Sequence, residues 1–143
     1  MIRVERNVDA GTDRVWELVG DLERWDRMLP TIQQITRVGA EGPVDVGSRF
    51  EVRQPGLPKA VYQVTGWEPG SGFTWVSSSP GVRTTATHGV GEEDGRTRLV
   101  LSIDWSGPLA PIVRLVVGAK ARRMVELEAD TFVRLAEGDE QHG

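Results

Sequence analysis

Residues 73 to 105 hold the side chains best able to do chemistry. His88 stands there among Phe73, Trp75, Ala86, Leu101, Ile103 and Trp105. An imidazole in such surroundings loses its hydration, which favours the neutral ring. A neutral imidazole accepts a proton from a carbon acid, or hydrogen-bonds a ligand carbonyl or phenol. The competing reading is a structural histidine held by a backbone group, or by Thr131 or Glu128. Ser77 and Thr84 offer hydroxyls to ligand oxygens or to each other. Neither has a histidine–acid partner at triad-like positions, which speaks against a serine hydrolase. Phe73, Trp75 and Trp105 can wall a flat ligand, although each taken singly reads as core. Tyr62 supplies a phenol if its strand turns it inward.

Three consecutive antiparallel strands must position these groups, and their turns set the register. Pro80-Gly81 and Asp94-Gly95 each read as a two-residue hairpin loop, Asp-Gly being a strong signal because Gly reaches positive φ without steric cost. That spacing sets Phe73 opposite His88, Trp75 opposite Ala86, and Ser77 opposite Thr84. On the other side it sets His88 opposite Leu101, Ala86 opposite Ile103, Thr84 opposite Trp105, and Val90 opposite Leu99. Side chains alternate with period two, so all of these share one face. The other face carries Thr74, Arg83, Thr85, Thr87, Arg98, Ser102 and Asp104, which is mostly polar.

The rest of the chain supplies a frame. Ile2, Val4 and Val8 alternate with polar residues as a strand, with Arg6 in the apolar phase at a rim or in a polar spot. Asp9 to Asp21 has helical period, capped by Thr12 or Asp9. Leu22 to Leu29 forms a second short helix ended by Pro30. Trp16 and Trp25 anchor these helices on the sheet. Further strands are predicted at 32–38, 48–54, 60–67, 73–79, 83–90 and 97–105, punctuated by Gly and Pro. The phase of 60–67 stays open: either Tyr62 and Val64 point inward, or Gln63, Thr65 and Trp67 do.

A long helix follows over Ala110 to Ala136, with Pro111 in its first turn and Gly138 as a stop. Its apolar stripe runs through Ile112, Val113, Val116, Val117, Met124, Leu127, Thr131 and Leu135, with Ala121 at a small position. Residues 109 to 119 are more apolar than a half-exposed helix needs, so the sheet, a ligand or a second subunit should cover them. Glu126, Glu128 and Asp130 with Arg122 and Arg123 read as charges on a solvated face. Residues 138–143 form a polar tail expected to be disordered.

Length and composition bound the function. A chain of 143 residues suits one domain with a real core. The formal charge is −4 with both signs interleaved, which argues against nucleic-acid binding. Cysteine is absent and there are two histidines, so thiol chemistry, disulfides and a histidine-rich metal centre are not expected. No phosphate loop or dinucleotide fingerprint occurs. Neither an apolar run of about 20 residues nor a signal-peptide core is present, so a cytoplasmic protein without integral membrane association is expected.

The order of elements is α+β, with helices on one face of an antiparallel sheet of about seven strands. Such a sheet curls, and one helix about 10 Å across cannot fill its concave side. Ser77, Thr84 and Ala86 at mid-face leave room for a cavity of the kind that holds small molecules.

This order matches the helix-grip fold, and the sequence resembles the SRPBCC superfamily, the START-related and polyketide cyclase/dehydrase-like proteins. The resemblance rests on DAGTDRVWELVGDLERWDRMLP after the first strand, VTGWEPG, TTATHGV, and WSGPLAP before the long helix. It covers roughly residues 2 to 136 and implies an apolar cavity between helix and sheet, with no shared catalytic motif. The expected ligand is a hydrophobic, ring-bearing small molecule, lined by Tyr62, Phe73, Trp75, Ser77, Thr84, Ala86, Leu101, Ile103, Trp105, Val116 and Met124. If there is turnover, it is a cofactor-independent cyclisation and dehydration with His88 as general base or carbonyl-orienting group. The alternatives are a carrier or sensor without turnover, and an interaction module using an exposed patch at Ile112, Leu115 and Val116. A monomer or a homodimer is compatible with all three.

Overall fold

The computed structural model describes residues 1–39 and 42–142, with side chains described as far as Gly138 in the last helix. Seven strands form one sheet: β1 (Ile2–Val8), β2 (Gln34–Val38), β3 (Arg49–Arg53), β4 (Ala60–Glu68), β5 (Gly72–Ser79), β6 (Val82–Glu93) and β7 (Arg96–Ser106). Their order is β1-β7-β6-β5-β4-β3-β2, and every pairing is antiparallel. Helix α1 (Thr12–Val19), a 3-10 turn (Leu22–Arg24) and α2 (Trp25–Met28) connect β1 to β2. The long helix α3 (Ala110–His142) follows β7.

The hairpins have the register that their turn residues predict. Phe73 pairs with His88, Trp75 with Ala86, and Ser77 with Thr84. Across β6 and β7, Thr84 pairs with Trp105, Ala86 with Ile103, His88 with Leu101, and Val90 with Leu99. Asp94 and Gly95 both have positive φ, the geometry of a tight primed turn that matches strand twist. On the outer face, Thr87 and Ser102 meet as a hydroxyl pair.

One β-bulge resolves the phase left open in β4. The register shifts between Val64 and Gly66, which leaves Thr65 unpaired. An extra residue resets the alternation. Tyr62 and Val64 before the bulge and Trp67 after it therefore all face the core, while Gln63 and Thr65 are exposed. Trp67 packs on Phe73 and Trp16, with ring centroids 5.6 and 5.1 Å apart.

The connecting helices differ from expectation at their ends. Gly11 occupies the N-cap of α1 and no side chain caps it; the Asp9 N–H instead donates to the Glu137 carboxylate at 2.8 Å. Arg6 reaches from β1 to Asp130 of α3 at 2.8 Å. These two polar links fix α3 across the β1 edge. Helix α3 continues past Gly138, which is not among the positive-φ glycines; a glycine ends a helix only where it turns left-handed. The predicted polar tail thus begins within a helix, and its side chains lie outside the described residues.

The inner stripe of α3 is rotated from the predicted one. Ala121, Glu128, Ala129, Thr131, Phe132 and Ala136 are buried, whereas Leu127 is exposed. Val116 lies roughly 140° around the helix from Ala121, and it faces solvent.

Candidate functional site

The concave face of the sheet, α2 and the middle of α3 border a cavity. Its lining includes Trp75, Ala86, His88, Leu101 and Ile103 from β5 to β7. Val52 comes from β3, Tyr62 from β4, and Gln54 and Leu57 from the loop between them. Trp25 and Ile32 close one side, and Ala121, Met124, Val125 and Glu128 of α3 close the other. The free space for water-sized occupants is about 70 Å³. A ring-bearing ligand needs several times that volume, so side chains at the rim must move to admit it. Met124 and Leu57 are placed to do so, Met124 being the more flexible.

Trp25 is the reason the space is small. Its indole is buried, and its ring centroid lies 5.3 Å from Trp75, 5.2 Å from His88, 5.8 Å from Phe73 and 5.9 Å from Phe132. It occupies the space over the inner face beside Phe73, Trp75 and His88. Read from sequence as an anchor of the short helices, it is also a wall of the cavity.

His88 is caged by aromatic rings. Phe73 stacks on it at 4.3 Å and 7° between planes, and Trp75 meets it edge-on at 5.9 Å. Its Nδ1 is buried and unpartnered, and among the described residues no hydrogen bond reaches either ring nitrogen. Neither Thr131 nor Glu128 holds it: the Thr131 hydroxyl donates to the Leu127 carbonyl at 2.7 Å. Burial alone pushes His88 down to about 3, so the ring is neutral at physiological pH.

Glu128 is the residue that the sequence reading misplaced. It is a buried side chain on the cavity wall rather than a solvated charge. Burial raises its carboxyl to about 7, against a smaller opposing effect from the Thr31 hydroxyl, which donates to Oε2 at 3.0 Å. The signal was present in the helical period, since Glu128 is seven residues from Ala121 and four from Phe132. Tyr62 faces the same space, and its phenol is pushed up to about 12 by burial first and by Glu128 second. Its ring stacks on Trp75 at 4.7 Å.

The predicted lining residues therefore separate. Tyr62, Trp75, Ala86, His88, Leu101, Ile103 and Met124 border one cavity. Phe73 lies behind the cavity wall, packed on the lining rings of His88, Trp25 and Trp75. Ser77, Thr84 and Trp105 share the inner face but not the cavity wall; they pair toward the opposite end of the β5–β7 hairpins from His88. Val116 is 72% exposed and outside the site, because the helix phase carries it away from the sheet. Trp25, Gln54, Leu57 and Glu128 join the site, brought in by a loop and by the rotated helix.

At neutral pH the site holds a neutral imidazole, a neutral phenol and a carboxyl close to its titration point, all set in apolar walls. Such a set can donate hydrogen bonds to carbonyl or phenol oxygens and move a proton at Glu128. Among the described residues no cluster of three or more His, Cys, Asp or Glu could hold a metal ion. Among the described residues no helix is long and apolar enough to cross a membrane.

Comparison with known proteins agrees with this architecture. A hypothetical protein of Helicobacter pylori superposes with TM-score 0.80 at 15% identity, covering 94% of this chain and 86% of that one. A Thermus thermophilus protein gives TM-score 0.73 at 20% identity, covering 96% and 97%. The Zhui aromatase/cyclase of a Streptomyces species gives 0.69 at 19% identity, covering 95% and 92%. At these identities the likeness is one of fold. No match is found among curated protein sequences. The model of the family described as "Polyketide cyclase / dehydrase and lipid transport" matches residues 1–137. Curved sheet, gripped helix, cavity and this match together show that the chain belongs to the polyketide cyclase/dehydrase and lipid transport family.

Proposed function

We propose that the cavity binds a hydrophobic, ring-bearing small molecule carrying carbonyl or phenol oxygens, and that Glu128 and His88 promote its cyclisation and dehydration. One observation carries this reading: the apolar cavity holds two groups with opposite shifts, an imidazole kept neutral and a carboxyl held near pH 7. An efficient base has a pKa near the working pH. Glu128 meets that condition, and His88, at about 3, does not. The general-base role therefore falls to Glu128, and His88 takes the carbonyl-orienting role.

In this reaction the Glu128 carboxylate takes a proton from a carbon flanked by carbonyls. The resulting enolate carbon bonds to a second carbonyl of the same molecule. His88 and Tyr62 hydrogen-bond the carbonyl oxygens as charge gathers there. The protonated Glu128 returns its proton to the new alkoxide, making a hydroxyl. Glu128 then removes the second hydrogen of the attacking carbon, the C=C bond forms, and the hydroxyl takes that proton from Glu128 and leaves as water. No electrons are gained or lost, and holding both reacting carbons in one cavity supplies much of the acceleration.

The mainly apolar lining equally supports a carrier that binds such a molecule without turning it over. Native mass spectrometry of protein from its own host, followed by kinetics on the released compound or its precursor, separates the two. Turnover that Glu128→Gln abolishes supports the enzyme. Binding without turnover assigns the carrier. Absence of any bound or bindable small molecule overturns both.

A further inference from the structure

Helix α3 exposes an apolar ridge in its first half. Leu115 is 86% exposed, Val116 72% and Ile112 58%, with Leu109 at 44% just before the helix. Helical period puts Ile112, Leu115, Val116 and Ala119 on one side, and Lys120, Arg122 and Arg123 continue that side. Residues 105 to 125 contain no acidic residue, although the protein as a whole carries −4. Lys120, Arg122 and Arg123 form no ion pair among the described residues. Arg114, by contrast, points back to Asp104 at 3.4 Å and the Trp105 carbonyl at 3.2 Å.

We propose that this ridge docks on an anionic lipid surface, with Leu109, Ile112, Leu115 and Val116 in the acyl boundary and Lys120, Arg122 and Arg123 at the headgroups. Protruding aliphatic chains flanked by unpaired cations are the pattern of a helix lying in a membrane interface. Charge complementarity points to anionic headgroups. A second copy of the chain fits less well. A stable dimer buries about 800 Å² per partner, more than four side chains offer.

The placement also has a consequence for the cavity. Lys120 and Arg123 border a groove with Pro30, Thr31, Gly56 and Met124. Met124 belongs to the cavity wall as well, and Thr31 holds Glu128. The docked face thus lies next to the side chains that must move to admit an apolar ligand. Docking does not depend on whether the cavity carries out turnover.

Co-sedimentation of the full chain with lipid vesicles tests this. Vesicles of phosphatidylcholine mixed with phosphatidylglycerol should bind the protein, and vesicles of phosphatidylcholine alone should bind it weakly. Raising salt from about 0.1 M to about 1 M, where the screening length falls from ~10 to ~3 Å, should release it. Leu115→Glu, at a side chain that packs on nothing in the core, should weaken binding roughly tenfold. Lys120→Glu and Arg123→Glu should each weaken it by roughly fivefold or more. Arg83→Glu, an exposed cation on the opposite face of the sheet, should leave binding unchanged. No binding to anionic vesicles overturns the proposal, as does full binding by Leu115→Glu and Lys120→Glu. A wild-type dimer that Leu115→Glu converts to monomer, with no vesicle binding, assigns the ridge to a second copy and also overturns it.

Discussion

Phe73 and His88 are cross-strand partners whose rings lie 4.3 Å apart and within 7° of parallel. The stack seals one face of the imidazole, and Trp25 and Trp75 cover its surroundings. The ring's low pKa is thus a property of the β5–β6 hairpin as much as of the cavity.

Phe73→Leu should therefore raise the His88 pKa from about 3 toward the 6.5 of a free imidazole, because water reaches the uncovered face. Titration of the histidine ring by NMR reads this directly. A loss of about 1–3 kcal/mol in stability should accompany it. A pKa unmoved in this variant would mean that the stack contributes nothing to desolvation.

Stability should vary little between about pH 4.5 and 6.5, because two buried groups act in opposite directions. Unfolded His88 takes up a proton below about 6.5 while the folded ring stays neutral to about 3, so its contribution falls as pH falls. Folded Glu128 keeps its proton up to about 7 while the unfolded carboxyl releases it near 4.5, so its contribution falls as pH rises. Glu128→Gln removes the second effect, and its stability should climb by about 2 kcal/mol over that range. His88→Phe should show the reverse slope. Urea unfolding across the interval checks both.

Trp25→Phe should enlarge the cavity at the cost of about 1–3 kcal/mol. The variant should bind bulkier apolar probes more tightly than the wild type. Fluorescence titration with a naphthalene-type dye measures it; equal affinity in both proteins would show that Trp25 does not limit the space.

Two glycines should respond oppositely to alanine. Gly118 lies inside α3 without positive φ, and a Cβ there would meet nothing within 4 Å. Gly118→Ala should stabilise by up to about 1 kcal/mol through helix propensity. Gly72 has φ 152°, and a Cβ there would strike the His88 carbonyl oxygen. Gly72→Ala should destabilise by about 2 kcal/mol or more. Thermal unfolding of the two variants against wild type decides both signs.

The β5–β7 register was legible because turn chemistry and period two are local. Pro80-Gly81 and Asp94-Gly95 set loop length, and loop length sets which side chains face each other. His88, Trp75 and Ala86 could therefore be placed on one wall from the sequence. Tyr62 was not, since a bulge between Val64 and Gly66 exchanges the faces on either side of it; Gly66 inside the strand is the mark of that bulge, but it does not say which face each half presents.

The sequence by itself determined the architecture, the pairing of the central strands and the inward turn of the imidazole. Only the tertiary structure decided the rotation of α3, which buries Glu128 and turns Val116 to solvent, and the insertion of Trp25 into the space between layers. The reason is physical. Hairpin pairing is settled by residues close in the chain, whereas helix rotation and cavity filling are settled by how distant surfaces pack, and packing has no local signature.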